Sequence, residues 1–292
     1  MKRQLTNSEV QFIKDAALFL ENPNLLIRLA NLIGQPMDIL QKSLPPIVKN
    51  QLTQVIESSL NIALKLALRT LPEKSSPPED WQQTLQQIQY SFWGHTAMTA
   101  ASGAVGGWVG IAALPIELPI STSLILRSIL NTAREWGHDL HDPQIQMECL
   151  FIFTLGSDKS HADDEMDEAY LTTRIACAQL IRDAASFITQ HSSKQLFKAL
   201  DQHSAPIIVS FLNKIASYFQ VSVSRKVMST AVPVVGSVSG AAINAAFCDY
   251  FTAAARYHFG LKHLEKIHDP SFIQNLYRQA LRGQLIVLDG AS

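Results

Sequence analysis

The chain predicts an all-α fold, and three observations carry the prediction. Apolar residues recur at helical rather than alternating spacing, and Asn-Pro and Asp-Pro pairs punctuate the chain as helix starts. β-Branched runs are confined to Val221, Val223 and Val232 to Val238, too few for a sheet. At 292 residues, 47% hydrophobic and 17% charged, the chain can bury a large core. We read it as one multi-helix bundle of about ten to thirteen helices over residues 1–292, with its core at about 15–282 and a tail at 283–292.

The elements follow in order. Thr6 and Glu9 form a capping box, and Val10, Ile13, Ala17, Leu18 and Leu20 then fall on one helical face, so a helix is expected from about 7 to 20. Asn22-Pro23 restarts it, Gly34 supplies its left-handed end, and Pro36 opens a short third helix. Past Pro45-Pro46, the stripe Leu52, Ile56, Leu60, Ala63, Leu64 and Leu68 predicts a long helix over 47–70. Pro72 to Glu79 is a short Pro/Ser-rich linker, and Asp80 caps the helix after it. Pro115 and Pro119 each interrupt a helical ladder, so a bend is expected there, with a helix resuming from about Ile120 to His138. Further helices are expected from Asp142-Pro143 to Gly156, from the acidic residues 163–168 to Gln190, and at about 194–202 and 205–226. A long helix then carries Asp249 and Arg256, and Asp269-Pro270 opens the last one, to about Arg282. A faint internal repeat links Ala133-Arg134 and His141-Asp142-Pro143 with Ala255-Arg256 and His268-Asp269-Pro270.

The distribution of charge is the most informative feature. From Trp81 to Leu126 the only formally charged residue is Glu117, and Val227 to Cys248 has none. Gly103, Gly106, Gly107 and Gly110 in the first stretch, and Gly236 and Gly240 in the second, include pairs four apart, which let helix backbones approach closely. Such stretches are packed either by protein or by lipid. Both are Ala/Gly/Ser/Thr-rich and broken by Pro, and Glu117 would cost about 2.5–3.5 kcal/mol at a bilayer centre. We therefore expect two close-packed core hairpins, ahead of reversible membrane insertion and of true spans.

A charge inside such a stretch needs a partner. Glu117, Arg127, Arg134, Asp249 and Arg256 are the candidate polar network: a structural ion-pair lattice or, alternatively, a pocket in which Arg forks hold an anion. Arg134 and Arg256 are expected to anchor on the opposite hairpin, Arg134 on Glu117. An alternative catalytic reading makes Glu117 an acid or base with His95 or His138. A third reading is a lipid or acyl-chain binder with an apolar cavity between the hairpins.

Other chemistries find no support. The clusters His138/His141/Asp142 and His161/Asp163/Asp164/Glu165 lack metal-ligand spacing, and His258, His263 and His268 are spread around a helix, so no metal is expected. Cys149, Cys177 and Cys248 are widely separated and read as buried thiols. The segment Gly236-Ser237-Val238-Ser239-Gly240 has Val where a nucleophile elbow needs Ser, and no nucleotide loop or zinc-protease motif occurs. No catalytic residue and no cofactor are expected. A formal net charge of -1 without a polybasic run argues against nucleic acid as a partner. Residues 1–12 lack an apolar segment, so a secretory signal is not expected and the chain is placed in the cytoplasm.

Three blocks together resemble the EcsC family of bacterial proteins: FLENPNLLIRLANLIGQPMDIL, GAVGGWVGIAALPIELPISTSLILRSILNTAREWGHD and AVPVVGSVSGAAINAAFCDYFTAAARYHFGLKHLEK. The resemblance spans about residues 15–270, and the central block is its specific part. The family commonly has Asp in the Pro-rich turn where this chain has Glu117, and it brings no accepted catalytic residues. It is named for a gene beside an ABC transporter. The resemblance thus implies a non-catalytic accessory or interaction protein, peripheral at the inner face of the cell membrane, with the membrane surface, a lipid or a membrane protein such as an ABC transporter as partner.

Overall fold

The computed structural model describes residues 4–21, 25, 29–31, 44, 46–69, 81–86, 88, 114–156, 168–202, 204–231 and 240–285. Its bounded elements are α1 (Asn7–Glu21), α2 (Pro46–Arg69), α3 (Leu114–Glu135), α4 (Pro143–Phe151), a 3-10 turn η1 (Ile152–Gly156), α5 (Ala169–Gln190), α6 (Ser193–Asp201), α7 (Pro206–Ala231), α8 (Gly240–Ile267) and α9 (Pro270–Leu281). No strand occurs among the described residues, and the all-α expectation holds. The expected hairpins, with Gly103, Gly106, Gly107, Gly110 and Gly236, lie outside the described residues, as does His95; Gly240 is the first residue of α8.

α3 and α8 are the central pair. Glu117 meets Asn244, Ser128 shares a 2.9 Å hydrogen bond with Thr252, and His138 reaches the carbonyl of Phe259, so the two helices run parallel. Their buried faces carry Leu118, Ile125, Ile129 and Ala133 against Phe247, Phe251, Ala254 and Ala255, which ties the 3.6-residue spacing of the sequence to a continuous core. α2 packs on α3 through Leu52, Ile56, Leu60 and Leu64, and α7 packs on α2, α5 and η1.

The proline expectation needs correcting. α3 is helical from Leu114, and Pro119 lies inside it. Pro115 sits in the first turn, where its missing N–H is not needed, and the one backbone bond that Pro119 forfeits would have gone to Pro115, at the fraying end of the helix. The helix therefore starts six residues earlier than expected. It also ends earlier, at Glu135, because Gly137 adopts φ 72° and closes a Schellman cap, with Gly137 N–H on the Arg134 carbonyl and His138 N–H on that of Ala133.

The repeat-like elements behave alike. Asp142 caps α4 through the N–H of Gln144, and Asp269 caps α9 through those of Ser271 and Phe272, each with Pro in the first helical position. In both units a central helix following an uncharged stretch hands over to an Asp-Pro-initiated helix.

α1 lies across α8 and α9. The Thr6–Glu9 box forms as expected, with Thr6 N–H donating to Glu9 Oε2 at 2.8 Å and Glu9 N–H to Thr6 Oγ1 at 3.3 Å. Phe12 then packs against Trp81, Trp136 and Tyr257, and Phe19 against Tyr250 and Tyr257. Gly260 makes this contact possible: a Cβ there would stand 2.3 Å from Phe12 Cζ.

α5 begins at Ala169, not among the acidic residues before it. Glu168 makes no capping bond with its side chain; the N–H groups of Ala169 and Tyr170 are instead accepted by Glu21, at the end of α1. α7 runs five residues beyond the expected end. Its segment Pro206–Ser229 is the one described helix long and apolar enough to cross a membrane. Phe211, Ile215, Phe219 and Val223 are wholly buried, so one face of this helix is packed against the bundle, while Ile207 and Val221 are exposed. Cys149, Cys177 and Cys248 are buried free thiols, as expected.

Candidate functional site

Glu117 lies in the first turn of α3, where the helix dipole favours a carboxylate. Its Oε1 accepts from Lys226 Nζ of α7 at 2.7 Å and from Asn244 Nδ2 of α8 at 2.8 Å. The carboxylate side chain is 12% exposed and the lysine 3%. Burial pushes the Glu117 carboxyl up, but the charge and hydrogen bond of Lys226, with Asn244 and Ser121, outweigh it and hold the group below its usual range. Burial lowers the Lys226 ammonium, with Glu117 opposing the shift. Lys226 Nζ also stands 5.2 Å from the centre of the Phe247 ring.

This three-helix contact has a topological consequence. Residues 89–113 lead into α3, and residues 232–239 connect α7 to α8. Because Glu117, Lys226 and Asn244 touch, the exit of the first segment and both ends of the second join the bundle at the same end, whereas Trp81, where the first uncharged stretch begins, packs on Trp136 and His263 at the other.

The expected Arg partners are elsewhere. Arg127 is exposed, and Arg134, Asp249 and Arg256 are half-buried. Arg134 stands seventeen residues along the same helix from Glu117, ~26 Å at 1.5 Å per residue, so the pairing expected between them is sterically out of reach. Arg256 is twelve residues beyond Asn244, ~18 Å. Its guanidinium lies 5.3 Å from the Tyr257 ring centre, and its Nε is buried without a hydrogen-bond partner. Lys226 carries the pairing. The signal for it is its position as the last cation before the uncharged stretch, in a sequence where Glu117 needs a buried counter-charge.

Glu117 and His138 do not converge, since they flank opposite ends of α3. His138 is buried and its Nε2 lies 3.0 Å from the Phe259 carbonyl. Burial and nearby Lys266 lower its pKa to about 3, so the ring is neutral and donates. His141 pairs with Asp139, and Asp142 is spent on its cap, so this cluster does not converge on a metal; no group able to hold one occurs among the described residues. His161 and Asp163, Asp164 and Glu165 lie outside those residues.

A second polar cluster was not anticipated. On α4, Glu148 is ion-paired with Lys262 of α8, stands 3.7 Å from His258 Nε2, and accepts from Gln144 at 3.3 Å. His258 Nδ1 is 3.0 Å from the Tyr170 hydroxyl of α5, and Arg174, one turn further, forms a forked pair with Glu265. Tyr277 of α9 donates to Glu21, which joins α1 to the same region.

Tyr170, His258 and Glu148 mimic a nucleophile–base–acid relay but lack its chemistry. Tyr170 is 2% and His258 1% exposed. Burial drives the Tyr170 hydroxyl well above its ordinary range, the reverse of nucleophile activation. Burial lowers His258 to about 4. Burial also raises Glu148, but the neighbouring His258 ring and the charge of Lys262 override that and hold it well below the carboxylate range. The arrangement is a closed set of paired charges that fastens α1, α4, α5, α8 and α9 together.

The family model described as the EcsC protein family matches residues 21–264, leaving nearly all of α1 and the whole of α9 outside the match. Comparison with curated proteins and with solved structures found no match.

Proposed function

This chain belongs to the EcsC protein family, and we infer that it is a non-catalytic accessory protein, peripheral at the cytoplasmic face of the cell membrane, with lipid or a membrane protein such as an ABC transporter as its partner. The observation that supports this reading is the enclosed Glu117–Lys226–Asn244 contact, beside which the first uncharged segment enters α3 and the second links α7 to α8. Glu117 and Lys226 neutralise each other there, so the pair itself presents little electrostatic barrier to apolar surroundings. The acid–base alternative with His138 loses its support, because Glu117 is engaged by a lysine and His138 stands at the other end of α3; its other partner, His95, lies outside the described residues.

The test is flotation of the purified protein with vesicles, followed by mass spectrometry of lipid and protein that copurify from cells. Recovery with the vesicles and with membrane components is the expected result. Protein that stays at the bottom of the gradient with every vesicle type, and copurifies with no membrane component, contradicts the reading.

A further inference from the structure

We propose that the Glu117 end of the bundle meets the bilayer by apolar partition, with Ile116 and Ile120 as the residues that enter the interface; the proposal rests on the membrane reading above. Ile116 is 72% and Ile120 48% exposed, one helical turn apart on the same face of α3 and flanking Glu117. Two uncharged segments of the sequence join the described helices here: 89–113 leads into α3 and 232–239 links α7 to α8, so neither brings a charge to these junctions.

The electrostatic alternative has few cations to work with: α2 and α7 are antiparallel, Gln220 meeting Thr53, so exposed Lys49 in the first turn of α2 is on this side, but the cations of α3 and α7 are engaged or distant. Lys226, the cation of this contact, is 3% exposed and engaged by Glu117. Its neighbour Arg225 is buried and donates to the Gly156 carbonyl. The next cation on α3, the exposed Arg127, stands ten residues from Glu117, ~15 Å along the helix. That is about twice the screening length of ~8 Å at physiological salt. With a net charge of -1 for the whole chain, attraction to anionic headgroups is weak, and partition must come from burying apolar side chains.

The experiment is vesicle flotation of the full chain on neutral phosphatidylcholine and on phosphatidylserine-containing vesicles, at low and high salt, with the double variant Ile116→Ser/Ile120→Ser. Equal binding to both vesicles, insensitive to salt and lowered roughly tenfold or more by the double variant, is expected. Ile175→Ser is the control: Ile175 is 70% exposed beside Arg174, whose partner Glu265 lies near the opposite end of α8, so this variant should float like the wild type. Circular dichroism checks that each variant is folded. Binding confined to anionic vesicles and released by salt overturns the proposal while leaving the membrane reading intact. A double variant that floats like the wild type, or an Ile175→Ser variant that fails equally, also overturns it. No flotation with any vesicle overturns the membrane reading itself.

Discussion

Two buried glutamate–lysine pairs stand near opposite ends of α8, and they are built differently. Glu117–Lys226 near its start is supported by one amide, Asn244, and by Ser121 a turn further along α3. Glu148–Lys262 near its end sits among His258, Gln144, Tyr170 and the Arg174–Glu265 fork. The difference concerns redundancy. A buried charge that loses its only counter-ion has nowhere to turn, whereas one inside a network is partly satisfied by what remains. The first end should therefore be brittle and the second tolerant, although the second contains more charges.

The largest expected effect is at the brittle end. Lys226→Met leaves Glu117 enclosed without its cation and should cost on the order of 3–5 kcal/mol in denaturant unfolding. A loss under about 1 kcal/mol would mean that Glu117 reaches water unaided.

Acid sharpens the contrast by loading the other end. Unfolded, His258 takes its proton near pH 6.5; folded, only near 4. Between those values the unfolded chain binds the extra proton, so stability falls as pH drops from about 6.5 to 4, by about 3 kcal/mol in all, and is flat above pH 7. His138, lowered to about 3, acts in the same direction and extends the loss further into acid. His258→Gln should flatten the first part of that slope; an unchanged slope would assign the acid sensitivity elsewhere.

Steric load at the second end comes next. Gly260→Ala places a methyl group against the ring of Phe12 and 2.9 Å from Trp136, and should cost about 1–3 kcal/mol, with a change in tryptophan emission. Smaller still is Lys262→Met, where Glu148 keeps Gln144 and His258. About 1 kcal/mol is expected. A cost equal to that of Lys226→Met would erase the distinction between the two ends.

The sequence revealed the elements better than their partners, for a physical reason. Helix starts are local: Thr6–Glu9, Asp142-Pro143 and Asp269-Pro270 satisfy N–H groups two or three residues away, and each formed where expected. The buried stripe Leu52–Ile56–Leu60–Leu64 is similarly a matter of local spacing. Proline misleads because its cost depends on depth in the helix, which spacing alone leaves open: Pro119 is tolerated near the start of α3. Pairing across the bundle is non-local. That Glu117 requires a buried cation is legible, but the choice of Lys226 over Arg134 depends on α3 being continuous, which puts Arg134 at its far end. The cluster joining Glu148, Tyr170 and His258 spans three helices and leaves no local trace beyond a Glu, a Tyr and a His inside apolar faces.

A double-mutant cycle between Glu117→Gln and Lys226→Met tests the central claim most directly. If the pair is the enclosed staple that joins the start of α3 to α7 and α8, the double variant should be more stable than the sum of the single losses allows, with a coupling of about 2 kcal/mol or more, because a neutral amide in place of the carboxylate leaves no charge stranded. Additivity within about 0.5 kcal/mol would show that the two side chains are not coupled, and would contradict the account.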